Sequence, residues 1–162
     1  MKNKLLFGIA FIGIIGLAIA LISLNRQTSD PASTGDNVNE NLVAVVHKSP
    51  TCGCCGNYVS YLRRAGFTVK VEDNPDLTPI KQKYNISSEM QSCHTTEIGG
   101  YFIEGHIPIE AVQKLLSEKP AIKGIALPGM PSGSPGMPGG KNEDFDIQQL
   151  SDDGMWSEFI RM

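Results

Sequence analysis

The sequence predicts an α/β domain of element order β-α-β-α-β-β-α, with a transmembrane helix before it and a β-hairpin extension after it. Three observations predict this. A charge-free apolar run opens the chain, short β-branched runs alternate with apolar residues at helical spacing through its middle, and a Gly-Gly pair separates two strand-like segments. The chain has 162 residues, room for one domain with appendages. Hydrophobic residues make up 41%, part of them in the N-terminal run, so the remainder is more polar than the total suggests. Net charge is -3, from 14 basic and 17 acidic residues, with no Lys/Arg cluster. That balance excludes a broad nucleic-acid surface, and no nucleic-acid partner is expected.

Leu5 to Leu24 carries no charge and nothing more polar than Ser23. About 20 residues at ~1.5 Å each span ~30 Å, the thickness of a bilayer's hydrocarbon core. Lys2 and Lys4 precede the run; Arg26 and then Asp30, Asp36 and Glu40 follow it. The positive-inside bias keeps the N-terminus cytoplasmic and exports the rest, to the periplasm or cell exterior. A cleavable signal peptide is the alternative, since Ala18-Ile19-Ala20 is a small-x-small triplet. The run continues past that triplet, which favours an uncleaved anchor, and both readings export the domain. Residues 1–24 are therefore read as an anchor or signal segment. Residues 25–41, polar and without hydrophobic period, read as a flexible linker.

The domain proper is expected over residues 42–140. Leu42 to His47 reads as a buried strand, and Lys48 to Cys55 as a turn. Tyr58, Val59, Tyr61, Leu62 and Ala65 fall at helical spacing, and Gly66 stops that helix. Phe67 to Glu72 alternates as a strand does. Thr78-Pro79 starts a helix that Asn85 ends. Thr95 to Ile98 and Tyr101 to Glu104 flank Gly99-Gly100 as a hairpin. Pro108 opens an amphipathic helix with Ile109, Val112, Leu115 and Leu116 on one face, ending before Pro120. With a right-handed first crossover, this is the element order of a thioredoxin-like fold. Ala126 to Gly140 is a Pro/Gly-rich loop. Residues 141–162 form an acidic extension in which Phe145 to Leu150 and Met155 to Ile160 read as a hairpin.

Three of the four cysteines lie within four positions, Cys52-Gly53-Cys54-Cys55, which suits a chemical site better than a set of staples. At a strand-to-helix junction, free N–H groups and the helix dipole stabilise thiolates. A dithiol reading needs only Cys52 and Cys55 and leaves Cys54 unexplained. A Cys54–Cys55 bridge would close a strained ring. Three crowded sulfurs suit a soft cation. Cys93, just before the third strand, is placed to meet them as a fourth sulfur; otherwise it is a buried small residue or half of a disulfide. His94 and His106 are candidate ligands, each weighed evenly against an ordinary histidine, and His47 reads as structural. Met130 and Met137 lie in a repeated Pro-Gly-Met-Pro, where they either pack the loop or offer thioethers that suit Cu(I) and not Zn(II).

Four segments then carry a resemblance: KSPTCGCCG at Lys48 to Gly56, SCHT at Ser92 to Thr95, EGHIP at Glu104 to Pro108, and LPGMPSGSPGM at Leu127 to Met137. Over residues 42–140 the chain resembles the exported CopG-type copper-resistance proteins, a family of small metal-binding proteins. The resemblance implies a thioredoxin-like fold, a cysteine-rich copper site, and a role in copper handling that includes interconversion of Cu(I) and Cu(II). Carried over by position, Cys52, Cys54, Cys55 and Cys93 match the family's cysteines, His94 and His106 its histidines, and Met130 and Met137 its Gly-Met-Pro loop. The acidic C-terminal segment fits only loosely, and the family pattern does not require an uncleaved anchor.

The leading expectation is an extracytoplasmic copper-binding protein for copper resistance or homeostasis, holding Cu(I), several ions included, through thiolates. As an enzyme it would be a copper oxidoreductase. Expected partners are the membrane, through one anchor, and other copper-handling proteins. The alternatives are a membrane-tethered thiol–disulfide oxidoreductase, with Cys52 attacking and Cys55 resolving, and a structural zinc domain.

Overall fold

A computed structural model describes residues 42–162. The anchor and linker expected over 1–41 lie outside the described residues. Among the described residues no helix is long and apolar enough to cross a membrane.

The described residues form a mixed α/β fold around a seven-stranded sheet of order β2-β1-β3-β4-β5-β6-β7. Strand β1 (Val43–Lys48) leads through a turn into helix α1 (Gly53–Arg64), and β2 (Thr68–Asp73) returns parallel to β1. Gly66, at φ 91°, makes the reversal after α1, a conformation that costs a residue with a Cβ. Helix α2 (Thr78–Lys83) starts where Asp76 Oδ1 accepts from the Thr78 amide at 2.9 Å. A single 3₁₀ turn (Ser88–Met90) leads to β3 (His94–Ile98), antiparallel to β1, which turns back as β4 (Tyr101–Glu104). Gly99 and Gly100 both have positive φ (59° and 90°), as a tight hairpin turn demands. Helix α3 (Ile109–Glu118) then crosses to β5 (Ile122–Ala126), parallel to β4.

Strand β5 is absent from the order expected above. Its sequence, Ile-Lys-Gly-Ile-Ala, is short and interrupted by Gly124, which reads as a breaker. In the sheet Gly124 is there for closeness: a Cβ on it would lie 2.1 Å from the Phe102 carbonyl oxygen of β4. The terminal hairpin forms as expected, β6 (Asp146–Ser151) and β7 (Trp156–Arg161), and β5 joins it to the rest of the sheet.

Two apolar layers cover the sheet. On one face Tyr58, Val59 and Leu62 of α1 and Ala111, Val112 and Leu115 of α3 pack on Val46, Ile103 and Ile125. On the other, Ile86, Phe102 and Leu150 are covered by Tyr84, Met90 and Trp156. Each large side chain so buried contributes ~1.5–3 kcal/mol. His47, read as structural, lies in an ionic cluster: its Nε2 is 2.8 Å from Glu97 Oε2. Lys83 and Tyr84 each donate to Glu97 Oε1 at 2.5 Å.

Two predictions follow from this packing. Gly124→Ala forces β4 and β5 apart and should lower the unfolding free energy by at least ~2 kcal/mol in urea titration; an unchanged midpoint would contradict the close approach. Burial alone raises the Glu97 carboxyl, but its bonds to Lys83, Tyr84 and His47 win and hold it at about 2, against an ordinary 4.5. A depressed folded pKa gives stability that is present above pH 4.5 and lost as pH falls toward about 2. Glu97→Gln should flatten that part of the stability–pH curve, measured by thermal melts.

Candidate metal centre

The site gathers at one end of the sheet. Strand β1 delivers the 49–52 turn and the start of α1, β3 begins beside it with Cys93-His94, and β4 ends there with Glu104 before His106. The Cys52 amide donates to Ser49 O at 3.1 Å, closing the turn. Cys52 is the N-cap of α1, its Sγ accepting from the Cys55 amide at 3.4 Å. This is the helix-start position expected for the cluster, with backbone dipoles aimed at sulfur.

Cys52 and Cys55 are joined by a disulfide, while Cys54 and Cys93 are free thiols. The bridge thus skips the strained adjacent pair. Cys54 Sγ lies 3.5 Å from Cys52 Sγ and 3.9 Å from Cys93 Sγ, and Cys93 Sγ lies 3.6 Å from Cys55 Sγ. All four sulfurs fall within 4.8 Å of one another. The fourth cysteine, 38 positions from Cys55, does meet the other three.

Both candidate histidines lie beside Cys93. His106 Nε2 is 2.9 Å from Cys93 Sγ, and its Nδ1 donates to Pro135 O at 2.7 Å, which leaves Nε2 as the acceptor. His94 follows Cys93 directly in sequence, yet its Nδ1 is 3.6 Å from Cys93 Sγ. The His94 ring is fully buried between Tyr58 (4.6 Å) and His106 (4.7 Å, edge on), and its Nε2 has no hydrogen-bond partner among the described residues. Burial first, then the neighbouring His106 and Lys81, holds the His94 pKa well below the ordinary value; burial also lowers His106. Both rings are therefore neutral near pH 7 and carry lone pairs. Burial first and the adjacent Cys54 second push the Cys93 thiol up to about 12. A thiolate there needs a cation beside it. Two free thiols and two neutral imidazoles, one of them with an orphaned ring nitrogen, fit a soft or borderline metal ion.

The Pro/Gly loop covers the site with its backbone. Asn57 donates to Gly136 O at 3.2 Å, and a Cβ on Gly136 would lie 2.8 Å from Tyr58 N and 2.9 Å from Cys54 O. Gly129 N donates to Gln91 O at 3.2 Å, and Ser92 Oγ to Gly129 O. Met137 directly follows Gly136 at this contact and is half-buried, whereas Met130 is 53% exposed. The four cysteines and two histidines converge; Met130 is turned to solvent.

One part of the site went unread in the sequence. Glu104 is fully buried, and its carboxylate accepts from the Ser92 amide (2.7 Å), the Thr95 hydroxyl (2.6 Å) and the Lys81 ammonium. Lys81 Nζ also donates to Ser92 O at 3.0 Å. The carboxylate grips the chain on both sides of Cys93-His94. Burial pushes the Glu104 carboxyl above its ordinary pKa, against the pull of Lys81 and these hydrogen bonds. A charged residue ending the otherwise apolar Tyr-Phe-Ile-Glu strand was the available signal.

Fold and donors together define a class: a small α/β protein with a thiol–imidazole centre suited to soft metals. Comparison with known proteins narrows it. A family model described as "Protein of unknown function, DUF411" matches residues 90–137. No curated protein matches. Two solved forms of a copper resistance protein, copG, are similar. Form 2 is 35% identical, with TM-score 0.70 over 75% of this chain and 98% of that one. Form 1 is 35% identical, with TM-score 0.68 over 74% and 96%. The chain belongs to the family of these copG proteins.

Lys81→Met would leave the Glu104 carboxylate buried without its cation, at an expected cost of ~3–5 kcal/mol. Equilibrium denaturation checks this; a loss under ~1 kcal/mol would mean the ion pair does not hold the loop.

Proposed function

We propose that this protein is an extracytoplasmic copper-binding protein serving copper resistance or homeostasis, with Cys52, Cys54, Cys55, Cys93, His94 and His106 as its donors and Met137 and Met130 as loop thioethers nearby. The carrying observation is the convergence on Cys93, which has sulfurs on one side at 3.6 and 3.9 Å and an imidazole nitrogen on the other at 2.9 Å. Reduced, the four sulfurs offer the soft set that stabilises Cu(I), while the imidazoles favour Cu(II). Such a set suits an ion that changes oxidation state or is handed on. The copG relatives carry copper resistance in their name.

The core reads as thioredoxin-like. Strands β2-β1-β3-β4 carry one antiparallel member, β3, and α1 starts at the cysteines, which supports that reading. Export and the anchor rest on Leu5 to Leu24 and its flanking charges. Other copper-handling proteins are the partners this role implies. A thiol–disulfide oxidoreductase is the second reading, favoured by the Cys52–Cys55 bridge itself.

The test is anaerobic titration of the reduced full chain with Cu(I) and with Zn(II), against a competing chelator. More than one Cu(I) per chain, with fewer held by Cys54→Ser, is expected. Preference for one Zn(II) would sink the copper reading. Absence of tight metal, with disulfide reductase activity intact in Cys54→Ser, would establish the oxidoreductase instead.

A further inference from the structure

We propose that His47 and Glu72 form a second cation site, which takes a divalent ion of the Zn(II) type through His47 Nδ1 and a carboxylate oxygen of Glu72, with Glu97 fixing the ring from behind. The site is separate from the cysteine–histidine centre and stands whether or not that centre holds copper.

Strand alternation places the ring. Val46 is buried in the core against α1 and α3, so His47, next along β1, points to the opposite face of the sheet. There it lines a cavity of about 310 Å³ with Glu72 of β2, Asn74 and Asp76 of the following loop, and Lys83 of α2. No donor of the cysteine–histidine centre lines this cavity.

The polar contacts leave two atoms facing each other. His47 Nε2 lies 2.8 Å from Glu97 Oε2, while the other oxygen of Glu97 accepts from Lys83 and Tyr84. A carboxylate accepts, so Nε2 carries the ring proton and, in the neutral ring, Nδ1 carries the lone pair. Glu72 is divided in the same way. Its Oε1 accepts from Lys70 at 2.8 Å, and its Oε2 lies 3.7 Å from His47 Nδ1. Asn74 Nδ2 is 3.4 Å from Nδ1, a long contact, and is shared with Glu72 O at 3.3 Å. A lone pair and a carboxylate oxygen thus confront each other, which is unfavourable unless something cationic stands between them. An ion about 2.1 Å from each donor fits that gap.

The surroundings suit such an ion. A carboxylate behind a metal-bound imidazole fixes its tautomer and raises its basicity, and Glu97 occupies that position, itself held by Lys83 and Tyr84. Glu72, Asp76 and Glu97 bring three carboxylates to the cavity and its rim, against the ammoniums of Lys70 and Lys83. The Glu72 side chain is 40% exposed, so an ion reaches the buried ring from solvent along that carboxylate. Imidazole nitrogen and carboxylate oxygen select a borderline divalent ion, whereas the sulfurs of the other centre select a soft one. The competing occupant is a proton, which would make His47 an imidazolium bridging Glu72 and Glu97.

The experiment titrates Zn(II) into the full chain, isotope-labelled at histidine, near neutral pH, and follows the imidazole nitrogen resonances. The His47 Nδ1 resonance should move to the metal-bound position while Nε2 keeps its proton. Cys54→Ser should leave that response unchanged. Against a competing chelator, His47→Gln should hold one Zn(II) fewer per chain than wild type. Glu72→Gln and Glu97→Gln should each weaken Zn(II) at His47 by about tenfold or more, the second without removing a ligand. An unmoved His47 resonance at saturating Zn(II), a ring that stays protonated on both nitrogens, or unchanged Zn(II) content in a folded His47→Gln would overturn the site. The wild-type resonance decides the matter even where His47→Gln does not fold.

Discussion

Glu104 is out of contact with solvent, and every hydrogen bond it accepts ties down something the centre needs. Its carboxylate takes the Ser92 amide and the Thr95 hydroxyl, which bracket Cys93 and His94, and the Lys81 ammonium, which anchors α2 against the same loop. Two residues on, after Gly105, comes His106. Burying a carboxylate and an ammonium is costly, and such pairs add little net stability over an apolar core. Their effect here is geometric. The carboxylate holds Ser92 and Thr95, on either side of the Cys93-His94 pair, where the sulfurs and imidazoles meet.

That constraint also organises the backbone around it. Gly105, at φ 83°, leaves no room for a Cβ, which would lie 2.7 Å from the Ser92 side chain and 2.8 Å from Leu127 O. The Leu127 amide donates to Glu104 O at 3.0 Å, and from there the Pro/Gly loop sets out across the site. Its carbonyl at Pro135 fixes the His106 ring, so the loop orients a donor through its backbone. The centre is thus a junction of chain segments distant in sequence, closed by backbone contacts at glycines that a larger residue would spoil.

Burial then sets the chemistry of the junction. Desolvation keeps both imidazoles neutral and the Cys93 thiol protonated, so these buried groups carry no uncompensated charge. A bound cation would compensate a thiolate at Cys93 and so favour loss of its proton. The same enclosure crowds four sulfurs together, two of them joined as the Cys52–Cys55 disulfide, so any metal held there would compete with that bond for the same atoms.

The sequence by itself determined the local elements and the chemical character of the site. Gly99-Gly100 set a hairpin, Pro108 and Gly66 bounded helices, and the Cys52-Gly53-Cys54-Cys55 cluster placed soft donors at a helix start, because turn geometry and helix capping act over a few residues. The tertiary structure decided the rest. Strand β5 was illegible because Gly124 marks a close approach to Phe102 across the sheet, and nothing local distinguishes that from a break. His94 could only be weighed evenly against an ordinary histidine, because neighbours along a strand point to opposite faces; in the fold its Nδ1 lies 3.6 Å from the Cys93 sulfur. Lys81 and Glu104 carried no assigned role in the sequence, since a charged side chain there has no local sign of burial. Their burial, and with it the meeting of Cys93 with Cys54, exists only once residues tens of positions apart are packed together, and no short-range pattern in the chain encodes that distance.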